Sequence, residues 1–191
     1  MAENVETRKR TRRKLSDALV ALCEGKSYYD ITVWDICSRA GLYRSTFYRY
    51  YDTKDELLRE IEHEYVEETR SLTKSLHDFR SDAPEEQMNI FLRELTDDMT
   101  YHRQNERLCR FLLSPAGDIY FHQKMVESIG ETVRKNMQRS GKRRPAHEME
   151  YLVNYFAAGF VSTVYQWLIR DDCTPEQIAV FLLDMIKRMA E

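Results

Sequence analysis

The chain is almost without helix breakers. Six glycines and four prolines punctuate 191 residues, and the stretches between them are rich in Leu, Glu, Lys, Arg and Met, which lose little on entering a helix. No segment reads as a strand, and no internal repeat is present. Hydrophobic residues make up 42% of the chain and charged residues 32%, enough apolar material for one generous domain or a small head on a larger body. An all-α fold of about nine helices is expected.

Apolar spacing lays the helices out. The first is predicted from about Val5 to Glu24, with Leu15, Leu19 and Leu22 on one stripe and Gly25 as its stop. Thr32 caps a second, with Asp35 in capping-box position and Val33, Ile36 and Cys37 inward. The "AGL" at 40–42 turns the chain, and a short third helix runs from about Arg44 to Tyr50. Thr53, followed by Glu56, opens a helix that keeps its stripe to about residue 77. Pro84 suits the first turn of a helix that reaches Met99. A short helix with Leu108, Phe111 and Leu112 follows, and another spans about Ile119 to Arg139, ended by the loop at 140–145. Residues 147–170 and the helix begun by Thr174-Pro175 are the most apolar of all.

Residues 32–50 have the anatomy of a helix-turn-helix. Cys37 is the small residue where the two helices cross, Gly41 tolerates the positive φ of a tight turn, and Ile36, Leu42 and Phe47 bind the pair together. Tyr43, Arg44, Ser45, Thr46, Tyr48 and Arg49 remain outward. Arginine reads guanine edges bidentately, Ser and Thr reach bases or phosphates, and tyrosine bonds phosphate or stacks on sugars. Charge agrees with this. Residues 1–55 carry eleven Lys and Arg against eight Asp and Glu, while the remainder carries eighteen against twenty-four, inside an overall charge of -3. Six of the eight residues in "TRKRTRRK" (7–14) are basic. A basic head on an acidic body points to a polyanion met by the head alone.

The run "ITVWDICSRAGLYRSTFYRYYDTKDELL" (31–58), with Thr11, Leu15, Ala18, Leu22 and Gly25 before it, resembles the DNA-binding domain of TetR-family transcriptional regulators over nearly fifty residues. Cys37, Leu42, Tyr43, Ser45 and Phe47 stand where that pattern has alanine, valine, serine, glycine and leucine. The resemblance implies a DNA-binding domain over 1–55 and a regulatory, dimerising domain over 56–191. It implies that Thr32 and Val33 bring the second helix to the DNA backbone and that Arg44, Ser45, Thr46, Tyr48 and Tyr50 line the groove. Lys54 would contact phosphate at a helix N-terminus, and the basic arm before helix one would follow the neighbouring backbone or minor groove. Tyr43 and Arg44 sit where operator preference varies. Arg49 is read as a phosphate contact, and Tyr50 and Tyr51 as either packing or contact.

In the body, "NYFAAGFVSTVYQWLI" is apolar around most of its circumference, and Ala157, Ala158 and Gly159 allow close helix approach. This helix and the last are expected to form a four-helix homodimer interface, the alternative being a fully enclosed core helix. A two-fold dimer fits a palindromic double-stranded operator. The string "GFVSTVYQWL" also resembles a TetR subgroup that includes proteins working with partner proteins. Two readings of the body follow: a repressor released by an effector, or a coactivator whose main partner is another protein. Met99, Tyr101, His102, Phe111, Tyr120, Met125, Tyr151 and Tyr155 are the candidate walls of an effector pocket, each alternatively plain core.

The four cysteines form no CxxC and read as reduced, buried thiols of a cytoplasmic protein. No stretch is long and apolar enough for a membrane span, and the basic N-terminus lacks the apolar core of a secretory signal. There is no phosphate-cradling glycine loop, nucleophile motif or metal-ligand spacing among the histidines. No enzymatic activity, cofactor or metal is expected.

Overall fold

The computed structural model describes residues 5–80, 83–114, 118, 120–139 and 145–190. Among them it holds nine α-helices and no strand. The expected starting point at Ile119 and most of the loops at 81–82, 115–117 and 140–144 lie outside the described residues. None of the described helices is long and apolar enough to cross a membrane.

The head is built from α1 (Val5–Cys23), α2 (Val33–Ala40) and α3 (Arg44–Phe47). Helix α1 buries Leu15, Ala18, Leu19 and Cys23 against α2, leaving its basic N-terminal half in solvent. The expected arm is thus itself helical. Between α1 and α2 the chain makes a short 3-10 turn, Tyr28–Asp30, where sequence showed only a break. Thr32 caps α2 reciprocally: its hydroxyl accepts from the Asp35 amide at 3.2 Å and its amide donates to the Asp35 carboxylate at 2.8 Å. Gly41 ends α2 in the left-handed region at φ 66°, a conformation that a Cβ would strain.

Helix α4 (Lys54–Leu72) leaves the head and enters the body. Thr53 caps it by accepting from the Glu56 amide at 3.2 Å, but Glu56 reaches back to the Asp52 amide at 2.7 Å instead of to Thr53. The helix stops at Leu72, short of the predicted residue 77, and a second 3-10 turn covers Ser75–Asp78. Leu76 is still buried, so the stripe continued through a change of helix type.

The body comprises α5 (Glu85–Gln104), α6 (Glu106–Leu113), α7 (Phe121–Arg139), α8 (Ala146–Arg170) and α9 (Pro175–Ala190). Helix α5 packs along α9, and α7 along α8. At the second crossing a Cβ on Gly130 would come within 3.2 Å of Val153 Cγ1, so glycine sets that approach. One continuous apolar cluster runs from Leu15 in α1 to Leu183 in α9.

Candidate nucleic-acid interface and body cavity

Phe47 is fully buried and anchors α3 from its inner side. The opposite side of the same turn carries Tyr43, Arg44, Ser45 and Tyr48, all exposed, with Tyr43 at 83%. Arg49 is exposed beside them, while Thr46 and Tyr50 are half-buried. Arg44 extends along the outer face, its Nη2 donating to the Tyr48 hydroxyl at 3.4 Å and its guanidinium 5.8 Å from that ring. The Tyr48 contact raises the Arg44 pKa further, so the group is a permanent cation. On α2, Thr32 is exposed and Val33 half-buried. Tyr51 is buried and packs on Phe47; Tyr50 leans on Tyr51, with rings 6.4 Å apart.

Trp34 escaped sequence reasoning. It is 63% exposed at the second position of α2. The spacing of Val33, Ile36 and Cys37 already turns position 34 outward, so the helical period could have found it. Tyr29, on the preceding turn, is exposed as well.

Lys54, expected from the sequence to contact phosphate, is engaged inside the head. Its ammonium donates to the carbonyls of Tyr28, Tyr29 and Ile31 at 2.8, 3.1 and 2.7 Å and lies 4.5 Å from the Tyr28 ring centroid. An ammonium has three donors, and all three have partners inside the protein. Tyr28 completes the brace by donating to the Asp55 carboxylate. Arg12, from the basic run, is likewise engaged within the head. Its Nε donates to Glu60 at 2.8 Å, its Nη2 pairs with the same carboxylate, and Tyr51 donates to Glu60 at 2.7 Å. Arg8, Lys9, Arg10, Arg13 and Lys14 remain exposed on α1.

A cavity of about 140 Å³ opens in the body between α4, α5, α7 and α8. Its apolar wall includes Leu76, Phe79, Met125, Ile129, Phe156 and Phe160, and Thr69, Thr73, Asp98, His102 and Asn136 supply polar atoms. Of the wall residues expected from sequence, it brings together His102 and Met125. Met99 is buried core, while Phe111 and Tyr101 line separate openings beside Tyr165 and beside α1. Tyr120 is exposed, and Tyr151 and Tyr155 face outward from α8 at 73% and 75% exposure. None of these six lines this cavity. For Tyr151 and Tyr155 the reason is that α8 is apolar on several sides, so spacing could not choose its inner face.

His102 is the best-connected polar group of the body. Its Nε2 lies 3.5 Å from Asp98 Oδ2, and its Nδ1 lies 3.1 Å from the Tyr65 hydroxyl and 3.7 Å from Cys109 Sγ. Burial opposes the imidazolium, but Asp98 more than offsets it, and the His102 pKa is raised to about 10. Helix α4 is tied to α7 by Lys124, which bonds the buried Glu62 at 2.6 Å and Asp118 at 3.0 Å. At the cavity rim Arg70 donates to Ser128 at 3.3 Å. All four cysteines are free thiols, and burial pushes the Cys23 pKa up to about 12.

Comparison with known proteins agrees with both halves. Residues 15–61 match the family model described as bacterial regulatory proteins, tetR family. Residues 93–188, half of the chain, match a TetR C-terminal model described as transcriptional regulator C-terminal region. No curated protein matches the sequence. Among solved structures, a TetR transcriptional regulator from Streptococcus agalactiae is similar at 23% identity and TM-score 0.64, over 96% of this chain and 99% of that one. SmeT, the repressor of a Stenotrophomonas maltophilia multidrug efflux pump, is similar at 16% identity and TM-score 0.64, over 92% and 87%. The dihydroxyacetone kinase operon activator DhaS is similar at 19% identity and TM-score 0.60, over 94% and 96%.

Proposed function

The chain belongs to the TetR family of DNA-binding transcriptional regulators, and we propose that it is a homodimeric repressor released from its operator by an effector bound in the body. The outward set on α3 carries the reading: exposed Tyr43, Arg44, Ser45, Tyr48 and Arg49 stand on a helix anchored from behind by the buried Phe47. Thr32, Val33 and the exposed Trp34 bring the start of α2 to the sugar-phosphate backbone, where helix N-termini favour anions. Thr46 and Tyr50 lie at the edge of the contact, and the exposed cations of α1 extend it along the neighbouring phosphates.

Dimerisation is assigned to α8 and α9. Tyr151, Tyr155, Ile169, Val180 and Phe181 are large apolar side chains exposed on these two helices, and apolar surface gathered in this way marks an interaction face. Gly159 has open space beside it, which supports close approach by a second copy. Two heads on a two-fold axis would meet half-sites of a palindrome about one turn (~34–36 Å) apart or more. The DNA-binding unit is residues 1–55 and the regulatory unit 56–191. Four free thiols support a cytoplasmic setting.

Release would pass through α4. Thr69 and Arg70 on this helix line the cavity, Glu62 holds it to α7, and Glu60 holds its first turns to α1 and Tyr51. An effector that spreads α4 from α7 therefore shifts the head. A coupling of about 1–3 kcal/mol is usual for such switches. The test is selection of bound sequences from a random DNA pool by the purified protein, followed by titration at several salt concentrations. A palindromic site is expected, with affinity falling steeply as salt rises. Failure to enrich any site would overturn the reading and leave a coactivator dependent on a second protein.

A further inference from the structure

The head exposes more aromatic surface than the recognition helix accounts for. Beside Tyr43 and Tyr48, it presents Trp34 at the second position of α2, 63% exposed, and Tyr29 on the turn before it, 59% exposed. A single apolar side chain on a surface needs no explanation, but several on successive elements mark a contact face. The backbone that carries Trp34 is fixed on both sides. The reciprocal bonds of Thr32 and Asp35 close the start of α2, and Lys54 ties the turn at 28–31 to α4. The Trp34 indole N–H has no hydrogen-bond partner among the described residues. An indole offers a donor and no acceptor, and with two χ angles a tryptophan loses little freedom when it docks.

The same place is poor in available positive charge. Lys54 is spent on three carbonyls inside the head, and Lys26 pairs with Asp35 at 3.1 Å. Asp35 itself accepts from the Thr32 amide, and Asp30 is exposed just before it in the chain. The start of α2 therefore meets the duplex with a neutral ring and not with a cation. In a helix-turn-helix the first helix crosses the DNA backbone while the second enters the groove, which sets Trp34 against a strand and away from base edges. We propose that Trp34 is a positioning residue for operator binding. Its indole face lies on a deoxyribose and its N–H donates to the adjoining phosphate oxygen, anchoring α2 without charge and without reading sequence. This rests on the DNA-binding reading above and names the residue that takes up a backbone contact for which Lys54 has no donor to spare.

The test uses the full-length protein and the operator selected from the random pool. The chain has two tryptophans. Trp167 is 3% exposed, its N–H donating to the Cys173 carbonyl at 2.9 Å, so Trp34 is the one a duplex can reach. Tryptophan emission of the unaltered protein should change on saturation with operator, and Trp34→Phe should abolish that change. Trp34→Ala should unfold thermally as the wild type does and bind about tenfold or more weakly. The loss should be the same factor on the operator and on its single-base variants, with the slope of affinity against salt unchanged. Emission that ignores saturating operator overturns the proposal, even if the variants fail to fold, and leaves this face to a protein partner. So does an emission change that persists in Trp34→Phe, wild-type affinity in Trp34→Ala, a loss confined to particular base pairs, or a salt slope reduced by about one or more. A wild type that binds no DNA sinks the regulator reading together with this inference; a wild-type complex indifferent to Trp34 sinks this inference alone.

Discussion

Arg44 stands at the first position of α3, and its one close partner among the described residues is a neutral hydroxyl at 3.4 Å, so it can enter a groove without leaving a strong bond behind. Arg44→Ala is expected to cost about 1–3 kcal/mol of operator affinity and to relax preference at one base pair. Fluorescence anisotropy on the selected site and its single-base variants measures both, and unchanged affinity would remove Arg44 from base reading. In the body, the His102 pKa of about 10 lies above the ordinary value near 6.5. The stabilisation it contributes is complete below about pH 6.5 and is lost as pH rises through about 10. Urea unfolding of the wild type should therefore weaken between pH 7 and 10, by at most about 1.4 kcal/mol per pH unit from this group. Asp98→Asn removes the carboxylate that holds the proton and should flatten the slope. An equally steep slope in the variant would assign the pH dependence elsewhere.

At the scale of the element, the helix-turn-helix depends on two local devices. Gly41→Ala places a Cβ at φ 66° and should destabilise the head by about 1–2 kcal/mol. Thr32→Ala removes the cap of α2, at about 1 kcal/mol. Chemical denaturation reads both, and a Gly41→Ala protein as stable as the wild type would mean that the turn had found another conformation. These two devices were legible in the sequence because each is a rule about a single position and its near neighbours. Lys54 was not, since its partners lie 23 to 26 residues away on a 3-10 turn that has no sequence signature of its own. Tyr151 and Tyr155 were misassigned for a different reason: a helix apolar on several sides has no single period to reveal its inner face. Asp98 and His102, four apart on α5, were within reach of the helical period, but the pair matters only because α4 and α7 close a cavity over it.

For the whole molecule, the proposed dimer makes the exposed apolar residues of α8 and α9 the ones that decide whether two heads act together. Tyr155→Glu combined with Phe181→Asp should give a monomer by sedimentation. Operator affinity should fall on the order of a hundredfold or more, because the second half-site contact ceases to be intramolecular. A double variant that stays dimeric would move the interface to another face. How a movement of α4 reaches the DNA depends on Lys54. Because its ammonium bonds the three carbonyls around the turn before α2, the start of α4 and the start of α2 are fastened at one point. Neither can tilt without carrying the other. In the proposed release, a displacement delivered by α4 would therefore swing the head as a rigid hand, keeping the fingers of α3 in their set posture while changing where on the duplex that hand can close.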